Sequence, residues 1–577
     1  MKKSHYRWSQ GACYLIIIVL VIFRLGYSEF GGKRPLKITT YDAFGYYMYL
    51  PAIFIYNDID ELKWLPEIDE KYDVTGGGKL YQANKFTNGN YVTKYLGGIA
   101  ILEIPFFALG HAIASFSSYP ADGFSAPYQW SLAFGALLYA FLSLLGLRYI
   151  LLKFYDDQVV AVTLILLFLA SNILQYISVD SAMSHSYILP MYVLLIHFTI
   201  KWHNEPKAIW AALIGLIMGV TVICRPTEAL MLLVPLLWNT HNKEASKAKW
   251  ALVKEYKGHI YALIIFGFLG VFPQLLYWKI ETGSWVYDVG SKWAFLNPWF
   301  RVLFGWTNGW FIYTPVAILF IVGLFYIRNL PFRYTVITFC LLNIWVVMAW
   351  FDWRYGATYS TRALCQSYPV LALGLGALVQ RGFKGHWRYV WSIGTVLLVG
   401  VNLFQITQYN SRVLIPNEIT AYYYAGVYLD RNPTPLDMAR LDNLEELGNP
   451  SDYIEKVLLE EGNQIITADS KAAAPLADLR LPENAKDAWL KVESSMKVDS
   501  GFYKAFIYAE VYGQDTVKYA KVRLFNPVAI QGEANAYAFF IHIPNEIKAR
   551  SINIYTASEE RLKGESLNLK VLYYSEK

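Results

Sequence analysis

Charge is scarce in this chain. Only 17% of its 577 residues are Asp, Glu, Lys or Arg, against about 25% in an average soluble domain. That excludes a cytosolic enzyme and an intrinsically disordered chain. Cysteine is scarce too: Cys13, Cys224, Cys340 and Cys365. None forms a CxxC pair or a Cys/His cluster, and all lie in or beside apolar stretches. This argues against a zinc site and a disulfide framework. There is no internal repeat and no low-complexity tract, so collagen and coiled coil are excluded as well. Ionisable residues are nearly missing from the middle of the apolar stretches, where an ion pathway would need them.

What the chain has is apolar and aromatic surface. Hydrophobic residues make up 55% and aromatics 17%, with 45 Tyr and 19 Trp. Tyr and Trp favour membrane interfaces, and aromatic faces also suit sugar rings. Apolar stretches near the length that spans a bilayer recur along the chain. Eleven read as membrane spans: 8–27, 128–152, 159–177, 187–202, 208–224, 230–239, 259–278, 310–327, 334–350, 363–379 and 389–407. A further apolar segment, 95–116, contains Gly97, Gly98, Glu103 and Pro105 and reads as a helix lying in the outer interface. After the apolar core of the first span comes Arg24 through Ser28 and Glu29, without a small-residue cleavage site. It reads as an uncleaved anchor.

Lys and Arg orient the chain, because they collect in inside loops. Segments 1–11, 148–158, 201–207, 241–259, 328–333 and 381–388 hold 17 Lys/Arg in 62 residues. Segments 178–186, 224–228, 279–308 and 351–362 hold 6 in 56. The N-terminus is therefore expected inside, with segment 28–127 and everything after about residue 409 outside. The net charge of +6 lies mainly in short loops, so it marks topology and implies no nucleic-acid partner.

The tail has another texture. Short runs rich in β-branched and aromatic residues recur at 488–494, 502–513, 516–525, 536–543, 551–557 and 567–574. Gly, Asn, Asp and Pro separate them, which suggests an antiparallel sandwich. Residues 437–462 read as a helix bridging from the membrane. The expected fold is thus a polytopic α-helical membrane protein with a C-terminal periplasmic β-sandwich. Its divisions are a membrane domain 1–408 with a long first outer loop 28–127, a linker 409–440 and a β-rich domain 441–577.

Polar residues gather at the outer ends of the spans. Asp42 follows the first span and precedes an aromatic segment. It suits a helix cap or a base that deprotonates a hydroxyl at the membrane surface. Lys94 stands before the 95–116 helix, where it can snorkel or hold a lipid phosphate. His185 is either solvated at a helix end or in contact with a phosphate or sugar hydroxyl. Asp180, Arg225, Glu228, Asp288 and Arg301 add charge in the other outer loops. Arg354 and Arg362 flank Gly356 in a short turn. Two guanidiniums near bilayer depth invite a phosphate, unless Arg354 or Arg362 pairs with Asp352.

These pieces, in this order, resemble the GT-C superfamily of membrane glycosyltransferases, in its bacterial branch related to protein O-mannosyltransferases and lipid A aminoarabinose transferases. The match rests on Asp42-Ala43-Phe44-Gly45-Tyr46-Tyr47, and on Lys94-Tyr95-Leu96-Gly97 leading to Pro105-Phe106-Phe107. It continues with Gly309-Trp310-Phe311-Ile312-Tyr313-Thr314-Pro315 and with the Trp350 to Arg362 turn. It covers roughly residues 1–408.

The resemblance implies a transferase using a polyprenyl-phosphate-linked sugar. The acceptor would be a glycan, lipid or protein, and the place a bacterial inner membrane. It implies Asp42 as the catalytic acid/base and Lys94 at the donor phosphate, where Arg225, Arg354 and Arg362 are further candidates. Tyr46, Tyr47, Glu103 and His185 would line the substrate. The prolines that usually follow the lysine are missing after Lys94. No cofactor and no metal are expected, since arginine can stabilise a leaving phosphate monoester. The competing readings are a lipid or polysaccharide transporter and a non-catalytic membrane protein that binds glycan. The first would show matched halves with broken helices, which the sequence lacks.

Overall fold

The structure, a computed structural model, describes residues 7–27, 37–356, 358–414, 419–482, 487–513 and 517–577. Lys2 and Lys3 of the inside charge cluster, Ser28 and Glu29 after the first span, Ala357 of the arginine-flanked turn and Thr516 lie outside the described residues. The chain divides into two compact units, 1–406 and 407–577.

The first unit is helical, and it makes this a multi-pass membrane protein. Six helices among the described residues are long and apolar enough to cross a membrane: Arg7–Gly26, Gly98–Ser115, Ala126–Leu151, Lys257–Thr282, Arg362–Gly382 and Trp387–Asn410. Shorter apolar helices accompany them, including Asp157–Leu169, Ala208–Val222 and Arg333–Ala349.

Several expected spans are broken in place. The 310–327 stretch divides into Trp310–Tyr313 and Ala317–Gly323. Pro315 supplies no N–H and disfavours a helical residue before it, and Thr314 leaves the helix at φ −135°. The 159–177 stretch stops at Leu169 and resumes as Ile173–Ser178. The 230–239 stretch is a 3-10 segment, Pro226–Leu232, running into Leu233–Leu237. Gly98–Ser115 goes the other way. It continues through Pro105 as an 18-residue helix and is long enough to cross, where the sequence reads an interfacial helix.

Helices Ala208–Val222 and Lys257–Thr282 meet backbone to backbone. A Cβ on Gly215 would collide with the Leu263 carbonyl, and one on Gly219 with the Gly267 carbonyl. Small residues permit this close approach, which gives apolar helices their van der Waals contact in lipid.

The long first loop is folded. Helices Asp42–Tyr47 and Leu65–Tyr72 and the ribbon Ala83–Lys85 with Tyr91–Thr93 share one core. Phe44, Tyr47, Trp64, Phe107, Phe124 and Tyr128 fill it. The aromatic richness of this loop is therefore largely packing.

The second unit consists of antiparallel sheets. One runs Ala473–Arg480, Ser551–Ser558, Ala505–Tyr512, Val517–Arg523. The other runs Tyr453–Glu461, Leu562–Glu576, Ala488–Ser500, Ala534–Ile543, with Gln464–Ala468 also paired to Leu562–Glu576. Side chains alternate as strand geometry requires. Ala505, Ile507, Ala509 and Val511 point inward while Phe506, Tyr508, Glu510 and Tyr512 point outward. The inner residues of both sheets form one apolar cluster.

The helix expected over 437–462 is corrected. The α-helix is confined to Pro435–Ala439, opened by a capping box between Thr434 and Asp437, and a single 3-10 turn follows at Pro450–Asp452. Asn449-Pro450 disfavours a continuing helix. Tyr453–Glu461 then pairs with Leu562–Glu576, which satisfies its backbone as a strand.

Candidate functional site

Asp42 opens the Asp42–Tyr47 helix. Tyr41 before it sits at φ 56°, and the helix has no side-chain cap bond. The capping role that suits an aspartate here is not taken. Both carboxylate oxygens reach across the fold instead. Oδ1 accepts the Tyr81 hydroxyl at 3.0 Å and the Tyr95 hydroxyl at 2.5 Å. Oδ2 accepts Nη2 of Arg362 at 2.8 Å. The ion pair keeps some contact with solvent, with 26% of the Asp42 side chain and 19% of Arg362 exposed.

Tyr95 reaches Asp42 because Gly45 has no side chain. A Cβ there would collide with the Tyr95 ring. Tyr46 meets that ring edge-on at 4.8 Å. Burial pushes the Asp42 carboxyl up. The Arg362 charge and the bonds from Tyr95, Arg362 and Tyr81 outweigh burial and hold it below the usual carboxylate range.

Arg362 starts a 3-10 segment, Arg362–Ser367, ahead of Tyr368–Gly382. Thr361 before it donates its hydroxyl to the Val302 carbonyl at 2.6 Å. Gly356, at φ 71°, brings the preceding turn to within 3.8 Å of Arg362 Nη2, measured from where its Cβ would be. Behind Arg362 runs a buried line of hydrogen bonds. His185 Nδ1 lies 2.9 Å from Gln366 Oε1, and Gln366 Nε2 donates to Glu228 Oε1 at 2.9 Å. Tyr192 donates its hydroxyl to Glu228 Oε2.

The structure thus brings together Asp42, Arg362 and Tyr46, with Arg225 and His185 in the same electrostatic neighbourhood. The charges of Arg225 and Arg362 act on both Tyr46 and His185. Asp180 is there as well: the Arg362 charge acts on it, and burial raises its carboxyl. Lys94 is exposed and adjoins Tyr95.

Other nominated residues turn elsewhere. Arg354 is exposed, its guanidinium 5.4 Å from the Trp353 ring, which Arg301 also approaches at 5.7 Å. Asp352 accepts the backbone N–H groups of Arg354 and Gly356. Tyr47 is wholly buried and donates its hydroxyl to the Gly123 carbonyl. Glu103 is buried in the Gly98–Ser115 helix and faces Tyr187. A pocket lined by Lys37, Thr39, Tyr72, Phe124 and Gln129 among others contains neither Asp42 nor Arg362.

Sequence reasoning missed Tyr81, Gln366 and Tyr192. Tyr81 follows a glycine-rich stretch without period, so nothing local tied it to Asp42. Gln366 stands four residues after Arg362, and that spacing was a usable signal. Among the described residues, no group of three or more His, Cys, Asp or Glu side chains could hold a metal ion.

No protein-family model and no curated protein matches the chain. Solved GT-C glycosyltransferases are among its structural neighbours, at low similarity. The ArnT structure from Cupriavidus metallidurans, bound to undecaprenyl phosphate, is 12% identical, with 74% of this chain and 70% of that one covered and a TM-score of 0.45. The oligosaccharyltransferase of Archaeoglobus fulgidus is 12% identical over 75% of this chain and 59% of that one, at 0.39. The arabinosyltransferase EmbB of Mycobacterium smegmatis is 10% identical over 97% and 64%, at 0.38. The chain thus spans less than two thirds of the latter two. None reaches a TM-score of 0.5, and the reading of the site rests on its own residues.

Proposed function

We propose that this protein is an inverting glycosyltransferase that moves a sugar from a polyprenyl-phosphate donor to a hydroxyl acceptor at the periplasmic face of a bacterial inner membrane. The observation that carries this reading is Asp42. It is a loop carboxylate that caps nothing and is held by Arg362, Tyr81 and Tyr95.

In the proposed reaction the prenyl chain lies in the bilayer and its phosphate meets Arg362, with Arg225 and Lys94 adding positive charge. Arg362 cannot serve phosphate and Asp42 equally. Once it turns to the phosphate, Asp42 loses its nearest cation and becomes a stronger base. The acceptor oxygen attacks the anomeric carbon, and its proton passes to Asp42. The bond from that carbon to the phosphate oxygen breaks, and the lipid phosphate leaves as a monoester stabilised by guanidinium. The chemistry is proposed to need no metal.

The test is transfer by purified full-length protein in lipid nanodiscs, with synthetic polyprenyl-phosphate sugars and mass detection of product. Product should form and persist in a divalent-metal chelator. Loss of product in chelator would sink the metal-free step. No product with any of a panel of donors and hydroxyl acceptors would sink the assignment.

A further inference from the structure

Outer-end segments 178–186, 225–232 and 358–367 meet at the buried line of hydrogen bonds behind Arg362. The chemistry of each partner fixes the direction of its bonds. Both oxygens of Glu228 accept, one from Tyr192 and one from Gln366, as a carboxylate does. Gln366 Nε2 also donates to the Ala363 carbonyl at 2.9 Å, so both amide hydrogens have acceptors. Turning that amide over would set its oxygen against a carboxylate and a carbonyl. Gln366 Oε1 therefore faces His185 and can only accept, and the proton lies on His185 Nδ1.

The His185 ring is 1% exposed and packs against Tyr176 at 5.1 Å. It precedes the span that begins near Tyr187. Burial disfavours a charged ring here, and the Arg225 and Arg362 charges disfavour it further. A neutral ring protonated at Nδ1 carries its lone pair at Nε2. Among the described residues Nε2 has no partner.

We propose that Glu228, acting through Gln366, fixes His185 as the neutral Nδ1–H tautomer, and that Nε2 accepts a hydrogen bond from a sugar hydroxyl bound beside Arg362. The nature of that ligand rests on the glycosyltransferase reading; the tautomer does not. Glu228 and Gln366 are positioning residues, and His185 is the group that touches the sugar. The sequence shows only a histidine at a helix end. The relay gives Nε2 of that histidine one polarity, that of an acceptor.

The test uses full-length protein in nanodiscs with its histidine ring nitrogens labelled with ¹⁵N. The His185 signals are those lost in His185→Gln. Near neutral pH the parent should show Nδ1 protonated and Nε2 bare. A proton on Nε2, with or without one on Nδ1, overturns the proposal. In Glu228→Gln the Gln366 amide is free to turn, and both tautomers should appear. A single unchanged tautomer there removes Glu228 from the relay. If that variant does not fold by thermal melting, Gln366→Met, which deletes the bond to His185, takes its place.

The transfer assay supplies the ligand arm. Asn reaches only the Nδ1 position and Gln reaches the Nε2 position. His185→Asn should raise KM for the sugar substrate about tenfold, the equivalent of one lost hydrogen bond, with kcat little changed. His185→Gln should recover most of that loss. Equal KM in all three overturns the sugar contact. A parent that transfers nothing while its ring shows Nδ1–H would remove the glycosyltransferase reading and leave the tautomer standing.

Discussion

At Asp42 the placement of one carboxylate separates two roles. Had it been a cap, Asn would replace it at little cost, since both residues cap helices well. The structure gives it no cap bond and an arginine partner. Asp42→Asn is therefore expected to lower transfer by about 10²–10⁴-fold, measured as initial rates with saturating donor. It also leaves Arg362 without its counter-charge, so melting should register a loss of about 1–3 kcal/mol. Parent-like turnover in a folded Asp42→Asn protein would remove Asp42 from the reaction.

The same pair predicts a pH dependence. The folded carboxyl of Asp42 lies below its ordinary value. A carboxyl held low stabilises the fold above its unfolded pKa, about 3.9, and that contribution disappears as pH falls through the folded value. The melting difference between parent and Asp42→Asn should stay constant from neutral down to about pH 5. Below about pH 4 it should shrink. A difference that grows on acidification would contradict the ion pair.

Among the elements, the contact most exposed to test is that of helices Ala208–Val222 and Lys257–Thr282. Their backbones touch where Gly215 and Gly219 face Leu263 and Gly267. Gly219→Leu would insert a side chain where none fits, a change that typically costs about 1–3 kcal/mol or more. The expected outcome is a lower melting temperature in detergent. Substitution at Gly258, which has open space around its Cβ position, should be close to neutral. Equal behaviour of the two variants would show that the close contact does not form. Which glycines matter was not legible from the sequence, because spacing alone does not say which helix faces which.

For the whole molecule the predictions concern sidedness and autonomy. From the asymmetry of 17 Lys/Arg against 6, the N-terminus is expected inside and the tail outside. A reporter active only after export, fused after Lys577, should therefore be active, and one fused within 241–259 should be silent. The reverse pattern would overturn the orientation. Residues 407–577 form a compact unit of their own with one apolar core. A fragment of those residues should give a circular dichroism spectrum dominated by β-structure. A mainly helical or unfolded spectrum would show that the unit needs the rest of the chain.

What the sequence determined by itself is what local pattern controls. Apolar runs of bilayer length marked a multi-pass membrane unit. Alternation and turn residues marked the strands of the tail. The segment around Asp42 stood out as a carboxylate among aromatics at a membrane face. Local pattern misled where the outcome depended on a distant partner. Tyr453–Glu461 became a strand because Leu562–Glu576 lies beside it. Only the tertiary structure joined Arg362 to Asp42 across 320 positions of sequence and passed Tyr95 over Gly45. Only the tertiary structure set Glu228 and Gln366 behind His185. Periodicity reports which face of a segment is apolar, whereas packing decides which segments meet, and the bonds that tie Asp42 to Arg362, Tyr81 and Tyr95, and Gln366 to Glu228 and His185, join segments that are remote in the chain.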